Sequence, residues 1–133
     1  MSAPATELAP RPNDLVGPGL RTFFRIATAW GLQADEERRL LGNPPRSTFH
    51  RWKSQNTAGS HTGDLLERIS YVLGIYKALH ILFPSDVQAD GWIKRENSAP
   101  LFGGTTALDR MLGGQVSDLY VVRQYLDAQR GWN

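Results

Sequence analysis

Residues 64–83 admit one secondary structure. Leu65, Ile69, Leu73, Tyr76, Leu79 and Phe83 recur at intervals of three and four, with Leu66, Val72 and Leu82 widening the stripe. That period gathers them on one face of an α-helix, whereas a strand would send alternate residues to opposite faces. Pro84 closes the run. Such a helix spans about 30 Å, the width of a small domain. The rest of a 133-residue chain has to pack around it. No stretch alternates with a period of two between hairpin turns, so the chain reads as all-α.

Shorter helices flank this one. After Gly17-Pro18-Gly19, Leu20, Phe23, Phe24, Ala27 and Trp30 share a face, and Gly31 stops the helix. Asp35-Glu36-Glu37 opens a second helix with acids where the N-terminal dipole favours them. Leu40 and Leu41 supply its apolar side, and Gly42-Asn43-Pro44-Pro45 ends it. Ser47 is the expected cap of a third helix over residues 48–55, anchored by Phe49 and Trp52. Asn56-Thr57-Ala58-Gly59-Ser60 reads as a linker. Beyond Pro84, Ser85 caps a fifth helix reaching Trp92. Thr105 is the expected cap of a sixth, with Leu108, Met111 and Leu112 buried. Val116, Leu119, Val122 and Leu126 form the inner face of the last. The expected organisation is a disordered arm over residues 1–14, a first unit at 15–58 and a second at 64–133.

Charge divides along the same line. Residues 1–58 hold eight Lys/Arg against five Asp/Glu, and residues 59–133 hold seven against eight. The first half therefore suits an anionic partner and the second does not. There is no cysteine, which excludes disulfides, cysteine zinc sites and thiol nucleophiles. No apolar run nears the ~20 residues a bilayer span requires. The first residues lack the basic and apolar regions of a signal peptide. A soluble cytoplasmic protein with no membrane association is the expectation.

The basic character has a focus. Two short helices separated by a tight turn, the second carrying Arg46, His50, Arg51 and Lys53, read as a helix-turn-helix. Ser47 and Thr48 stand at a helix N-terminus able to receive a phosphate. Arg51 can reach a guanine edge, and Arg46 and Lys53 can meet backbone phosphates. The candidate DNA-binding set is thus Arg46, Ser47, Thr48, His50, Arg51 and Lys53. A basic solvated helix in an ordinary bundle is the plainer alternative.

Catalytic chemistry finds no footing. His50, His61 and His80 fall on separate elements, and no His-Glu-x-x-His or similar metal spacing occurs. Gly103-Gly104 lacks both a preceding strand and the dinucleotide-binding spacing. Asp86, Asp90 and Glu96 read as solvated charges. No enzyme activity, cofactor or metal is expected.

The last forty residues are the most distinctive. Trp92, Asn97, Phe102, Gly103, Gly104, Thr105, Thr106, Leu108, Met111, Leu112, Val116, Leu126 and Gly131 follow in an order that resembles the C-terminal toxin-binding domain of the Xre/MbcA/ParS antitoxins. Ala107 stands where that family often has proline, which would only pre-set φ. The run from Pro45 to Lys53 resembles the recognition-helix segment of Xre-like antitoxins. The resemblance implies an N-terminal Xre-like helix-turn-helix unit and a small C-terminal toxin-binding bundle. It implies an antitoxin whose partner is a RES-domain toxin that consumes NAD, as an NADase or an ADP-ribosyltransferase. It further implies docking over the toxin's cleft, and binding to operator DNA as a homodimer. A stand-alone helix-turn-helix regulator with a C-terminal dimerisation domain is the rival reading.

The chain's end sharpens this. Arg123, Tyr125, Arg130, Gly131, Trp132 and Asn133 form the candidate toxin-binding set, since Tyr, Trp and Arg most often carry interface energy. Trp92, beside the Gly-rich loop, is expected to be mostly buried.

Overall fold

The computed structural model describes residues 12–58 and 63–131, with side chains described from Asp14 onward. Seven α-helices form among them: α1 (Pro12–Ala29), α2 (Ala34–Leu40), α3 (Arg46–Gln55), α4 (Gly63–Leu82), α5 (Asp86–Gly91), α6 (Ala107–Met111) and α7 (Val116–Gln129). A 3-10 turn, Trp92–Lys94, prolongs α5. The sole bridge of β type among the described residues pairs Glu96 with Thr106.

The long α4 is the axis, packed against α1 on one side and α7 on the other. Leu65, Ile69, Val72, Ile75, Ala78 and Leu79 are buried along it. Arg68 is buried too, its charge met by Asp64 at 2.8 Å and its Nη2 donating to the Gly114 carbonyl at 3.0 Å. One apolar core runs through both halves, from Leu20, Phe23 and Trp30 to Met111, Leu119 and Leu126.

Four local expectations need correction. Helix α1 begins at Pro12, not after Gly19, so residues 12–14 belong to it; residues 1–11 lie outside the described residues. Pro18 lies inside the helix, and Val16 and Leu20, four apart, pull the early turns onto the core. Gly17 has no Cβ to clash with the ring that follows. Helix α3 starts at Arg46 with Pro45 at the N-cap, so Ser47 is helical and caps nothing. Thr106, not Thr105, caps α6: its side chain accepts from Asp109 N while Asp109 reaches back to its N–H. Trp92 is only half-buried, and its neighbour Ile93 fills the core.

Candidate functional site

The turn between α2 and α3 is built from short-range bonds. Gln33 N donates to Glu36 Oε1 at 2.9 Å, opening α2 with a reciprocal box. At its end Asn43 N donates to Arg38 O and Gly42 N to Arg39 O. That pattern requires a left-handed residue, and Gly42 supplies it with φ of 100°. Arg38 braces the corner, donating to Pro44 O at 2.9 Å and pairing with Asp35 at 3.2 Å.

Helix α3 then presents its polar side. Phe49 and Trp52 are buried. Arg46, Ser47, His50 and Arg51 are exposed, and Thr48 is half-buried. No side chain caps the N-terminus, so the N–H groups of its first turn remain available to an anion. Lys53 is differently placed: its Nζ lies 2.8 Å from Oε1 of Glu37, a carboxylate only 5% exposed. The same ammonium sits over the Phe24 and Phe49 rings. Sequence reasoning missed what lies beside it. Arg21 and Arg25 of α1 border a cleft of about 350 Å³ with Phe24, Lys53 and Asn56. Their spacing of four along the polar side of α1 was the available signal.

In the second half, the Gly-rich loop folds back on Asn97. Asn97 N donates to Thr105 O at 2.8 Å, and Gly104 N donates to Asn97 O at 3.1 Å. Asn97 Oδ1 accepts from Ala99 N at 2.9 Å, and the Thr105 hydroxyl donates to Phe102 O at 2.7 Å. The loop's Phe102 is buried and meets Tyr125 edge-on at 5.2 Å, while Trp92 stacks on Tyr125 at 6.3 Å. Tyr125 is therefore half-buried in an aromatic trio rather than displayed.

The other members of the toxin-binding set separate. Arg123 lies across Gly74 of α4, where a Cβ would collide with its guanidinium. It pairs with Asp127 at 3.5 Å and donates to Ser70 O at 3.5 Å. Arg130 follows the last turn of α7 with its side chain 9% exposed, paired with Asp127 at 3.5 Å. It is thus not the exposed cation expected. Gly131 is exposed and left-handed, with φ of 85°. Trp132 and Asn133 lie outside the described residues. Arg123 and Gly131 border an open groove of about 960 Å³ with Tyr71, Tyr120, Gln124 and Asp127. Tyr71 meets Tyr120 edge-on at 5.7 Å and donates to Glu67 at 3.0 Å. That hydrogen bond to a carboxylate, then burial, raises the Tyr71 pKa above the ordinary tyrosine value. Tyr71 and Tyr120 escaped the sequence reading because each sits on the polar flank of a helix, with no motif around it.

His80 lies 2.7 Å from Asp90 and 3.3 Å from Asp86. Asp90 is hence a half-buried partner of His80, not a solvated charge. His50 leans edge-on against Phe49, and His61 lies outside the described residues. Among the described residues no group of three or more His, Cys, Asp or Glu is arranged to hold a metal. No helix of the described residues is long and apolar enough to cross a membrane.

Cations tie the halves together at helix ends. Arg39 of α2 donates to Leu112 O at 3.1 Å, beyond α6. Lys94 donates to Gly31 O at 2.9 Å, beyond α1. A basic helix-turn-helix is thereby mounted on a helical bundle with an aromatic, Arg-lined end, which defines a DNA-binding protein with a second, protein-directed module. The comparisons agree in both parts. Residues 14–74 match the antitoxin Xre-like helix-turn-helix domain, and residues 78–131 match the antitoxin Xre/MbcA/ParS C-terminal toxin-binding domain. The chain belongs to the Xre/MbcA/ParS antitoxins. It is also similar to an uncharacterised protein, y4oB, of Sinorhizobium fredii (strain NBRC 101917 / NGR234), 49% identical over 130 residues, covering 98% of this chain and 94% of the relative. The family models divide the chain inside α4, between residues 74 and 78, whereas the linker at 56–60 was the expected boundary. Helix α4 packs on both α1 and α7, so it serves both units.

Proposed function

We propose that this antitoxin neutralises a RES-domain toxin that consumes NAD, as an NADase or an ADP-ribosyltransferase, and represses its own operon as a cytoplasmic homodimer. The observation that carries the reading is the toxin-binding match over residues 78–131, which takes in α7 and every residue lining its groove except Tyr71. That match also disfavours a stand-alone regulator, whose second half would need only to dimerise.

The chain's own groups suggest the division of labour. Arg46, Ser47, Thr48, His50 and Arg51 meet DNA, with the α3 N-terminus and Arg46 on phosphates and Arg51 on a base edge. Lys53 contributes field from its bond with Glu37, and Arg21 and Arg25 extend the phosphate-binding surface onto α1. Toward the toxin, Arg123, Gly131, Trp132 and Asn133 make contact. Tyr125 and Arg130 hold the end of α7 in place through the aromatic trio and Asp127. A cleft that takes NAD has cationic groups for its pyrophosphate and apolar walls for its rings. The indole of Trp132 competes for the apolar walls.

The test is co-expression with the adjacent reading frame, scored by growth, cellular NAD and pull-down. Rescue of growth and of NAD by the wild-type chain, with the two proteins co-purifying, is the expected result. A neighbour that binds the chain yet leaves NAD untouched would rule out the RES assignment while leaving the antitoxin role.

A further inference from the structure

The corner of the helix-turn-helix rests on the toxin-binding module. Gly42, in the turn between α2 and α3, lies against the ion pair of Arg68 and Asp64 on α4. A Cβ there would stand 3.2 Å from Arg68 Nε and 3.4 Å from Asp64 Oδ2. Arg68 is buried, at 8% exposed. Its Nε donates to Asp64 at 2.8 Å, and its Nη2 donates at 3.0 Å to the carbonyl of Gly114, in the turn between α6 and α7. Arg39, near the end of α2, donates at 3.1 Å to the carbonyl of Leu112, the C-cap of α6. A C-cap carbonyl has no partner within its own helix and is open to a cation.

The supporting turn is itself held in shape. Asp118, in the first turn of α7, accepts from Gln115 N at 3.0 Å and from Arg110 Nε at 3.0 Å. One carboxylate, 15% exposed, thus joins α6 to α7 across the turn. On the other side, the path from Gly42 to α3 is short and stiff. Pro44 and Pro45 fix φ between Gly42 and Arg46, where α3 begins. A tilt of the corner therefore reaches Arg46 and the α3 N-terminus undamped.

We propose that the α6–α7 turn of the toxin-binding module sets the angle at which the helix-turn-helix meets DNA, with Arg39, Arg68 and Asp118 as positioning residues. Arg68 is buried and bonded at Nε and Nη2, so it has no route to a phosphate and acts on DNA through the corner. Asp118 is an acid, which DNA repels, so it acts through the turn. Without this brace the corner samples other angles, and only a fraction of molecules presents α3 correctly. Apparent affinity falls by that fraction. The second module is then a working part of the DNA reader as well as a partner for the toxin. The proposal rests on α3 meeting DNA, as proposed above.

The test uses the full chain without toxin and a labelled duplex from the region upstream of its own reading frame, titrated by fluorescence anisotropy at several salt concentrations. Arg68→Met keeps the length of the side chain and removes its donors. Asp118→Ala unties the supporting turn from the far side. Each should bind the duplex about tenfold more weakly, as loss of a charge-assisted bond implies, with the wild-type salt slope, since no phosphate contact is removed. Removing an acid would by charge alone strengthen DNA binding, so the sign for Asp118→Ala is decisive. Arg39→Met should follow the same pattern; a flatter slope would make Arg39 a phosphate contact and overturn its positioning role. The chain has no cysteine, so Ser54→Cys and Gln124→Cys place one spin label on α3 and one on α7. The distance between them, measured without DNA, should broaden in each variant. Circular dichroism melts establish that each variant is folded. Folded variants with wild-type affinity overturn the proposal, as does an unchanged distance distribution. If Arg68→Met does not fold, Asp118→Ala and Arg39→Met decide. A wild-type chain that ignores the duplex overturns the DNA reading and this proposal with it, whereas wild-type binding with unaffected variants overturns this proposal alone.

Discussion

Lys53, the last cation of the recognition helix, is bonded at 2.8 Å to Glu37, a carboxylate buried on the preceding helix. The lysine therefore holds α2 against α3 before it meets any nucleic acid. Lys53→Ala strands the Glu37 carboxylate and should lower stability by about 1–3 kcal/mol. Lys53 is 45% exposed, so water screens the pair and favours the lower part of that range. Glu37→Gln, which removes the charge and keeps the shape, should cost less. Urea midpoints for the two variants give the order, and equal stability of Lys53→Ala and wild type would refute it.

Arg46 and Arg51 make no ion pair among the described residues and stand exposed on α3, so they report DNA binding more cleanly. Each Ala substitution should flatten the plot of log K against log salt by up to about one unit, because one fewer phosphate is neutralised. Arg51→Ala should also relax discrimination at one base pair by about 1–3 kcal/mol. Promoter titrations at several salt concentrations provide both numbers. Unchanged slopes in both variants would move the DNA to another face.

Much of this was legible in advance, for identifiable reasons. The α4 stripe and the inner face of α7 follow from helical period, which core packing enforces. The glycines after Phe102 and the Thr-Thr pair marked a loop and a cap, but not which threonine caps, because adjacent threonines are chemically alike. Pro18 misled because proline usually marks a helix boundary, whereas the burial of Val16 and Leu20 decides otherwise here. The candidate sites were harder. Tyr125 and Arg130 looked available because they lie off the apolar stripe, yet the partners that engage them, Trp92, Phe102 and Asp127, come partly from distant segments. Glu37 gave no sign of burial, since an acid in a first turn is ordinarily solvated. Pairings across helices are not written in local spacing.

Trp92 and Ile93 should respond unequally to truncation. Ile93 is fully buried, and Ile93→Ala should cost about 2–5 kcal/mol. Trp92 is half-buried and held through Tyr125 and Phe102, so Trp92→Ala should cost less, about 1–3 kcal/mol, from reduced apolar burial and stacking. Chemical melts of the two variants test the order. A larger loss for Trp92 would make it the central support of the loop.

Gly74 separates stability from the shape of the groove. Alanine there raises helix propensity by up to about 1 kcal/mol, but its Cβ needs the space under the Arg123 guanidinium. That terminal group is flexible and can swing away, so net stability should stay within about 1 kcal/mol of wild type. Its bonds to Asp127 and Ser70 would break with the move. Toxin affinity should then fall, and by as much as Arg123→Ala should lower it. A Gly74→Ala protein with full affinity would remove Arg123 from the toxin interface.

The end of the chain makes the sharpest demand. Leu126 closes the buried stripe of α7, and Arg130 secures the last turn by pairing with Asp127. Both remain when residues 131–133 are deleted. The truncated protein should melt within a few degrees of wild type, because it keeps Leu126 and the Arg130–Asp127 pair. It should nevertheless protect cells poorly, since Trp132 is the group proposed to enter the toxin's cleft. Thermal melts of the free antitoxin and growth on co-expression read the two quantities separately. Full protection by a stable truncation would eliminate the tail and leave the Tyr71–Tyr120–Arg123 groove as the contact. Should truncation also unfold the chain, Trp132→Ala in the full-length protein isolates the indole. Retained protection in that variant would count against the tail.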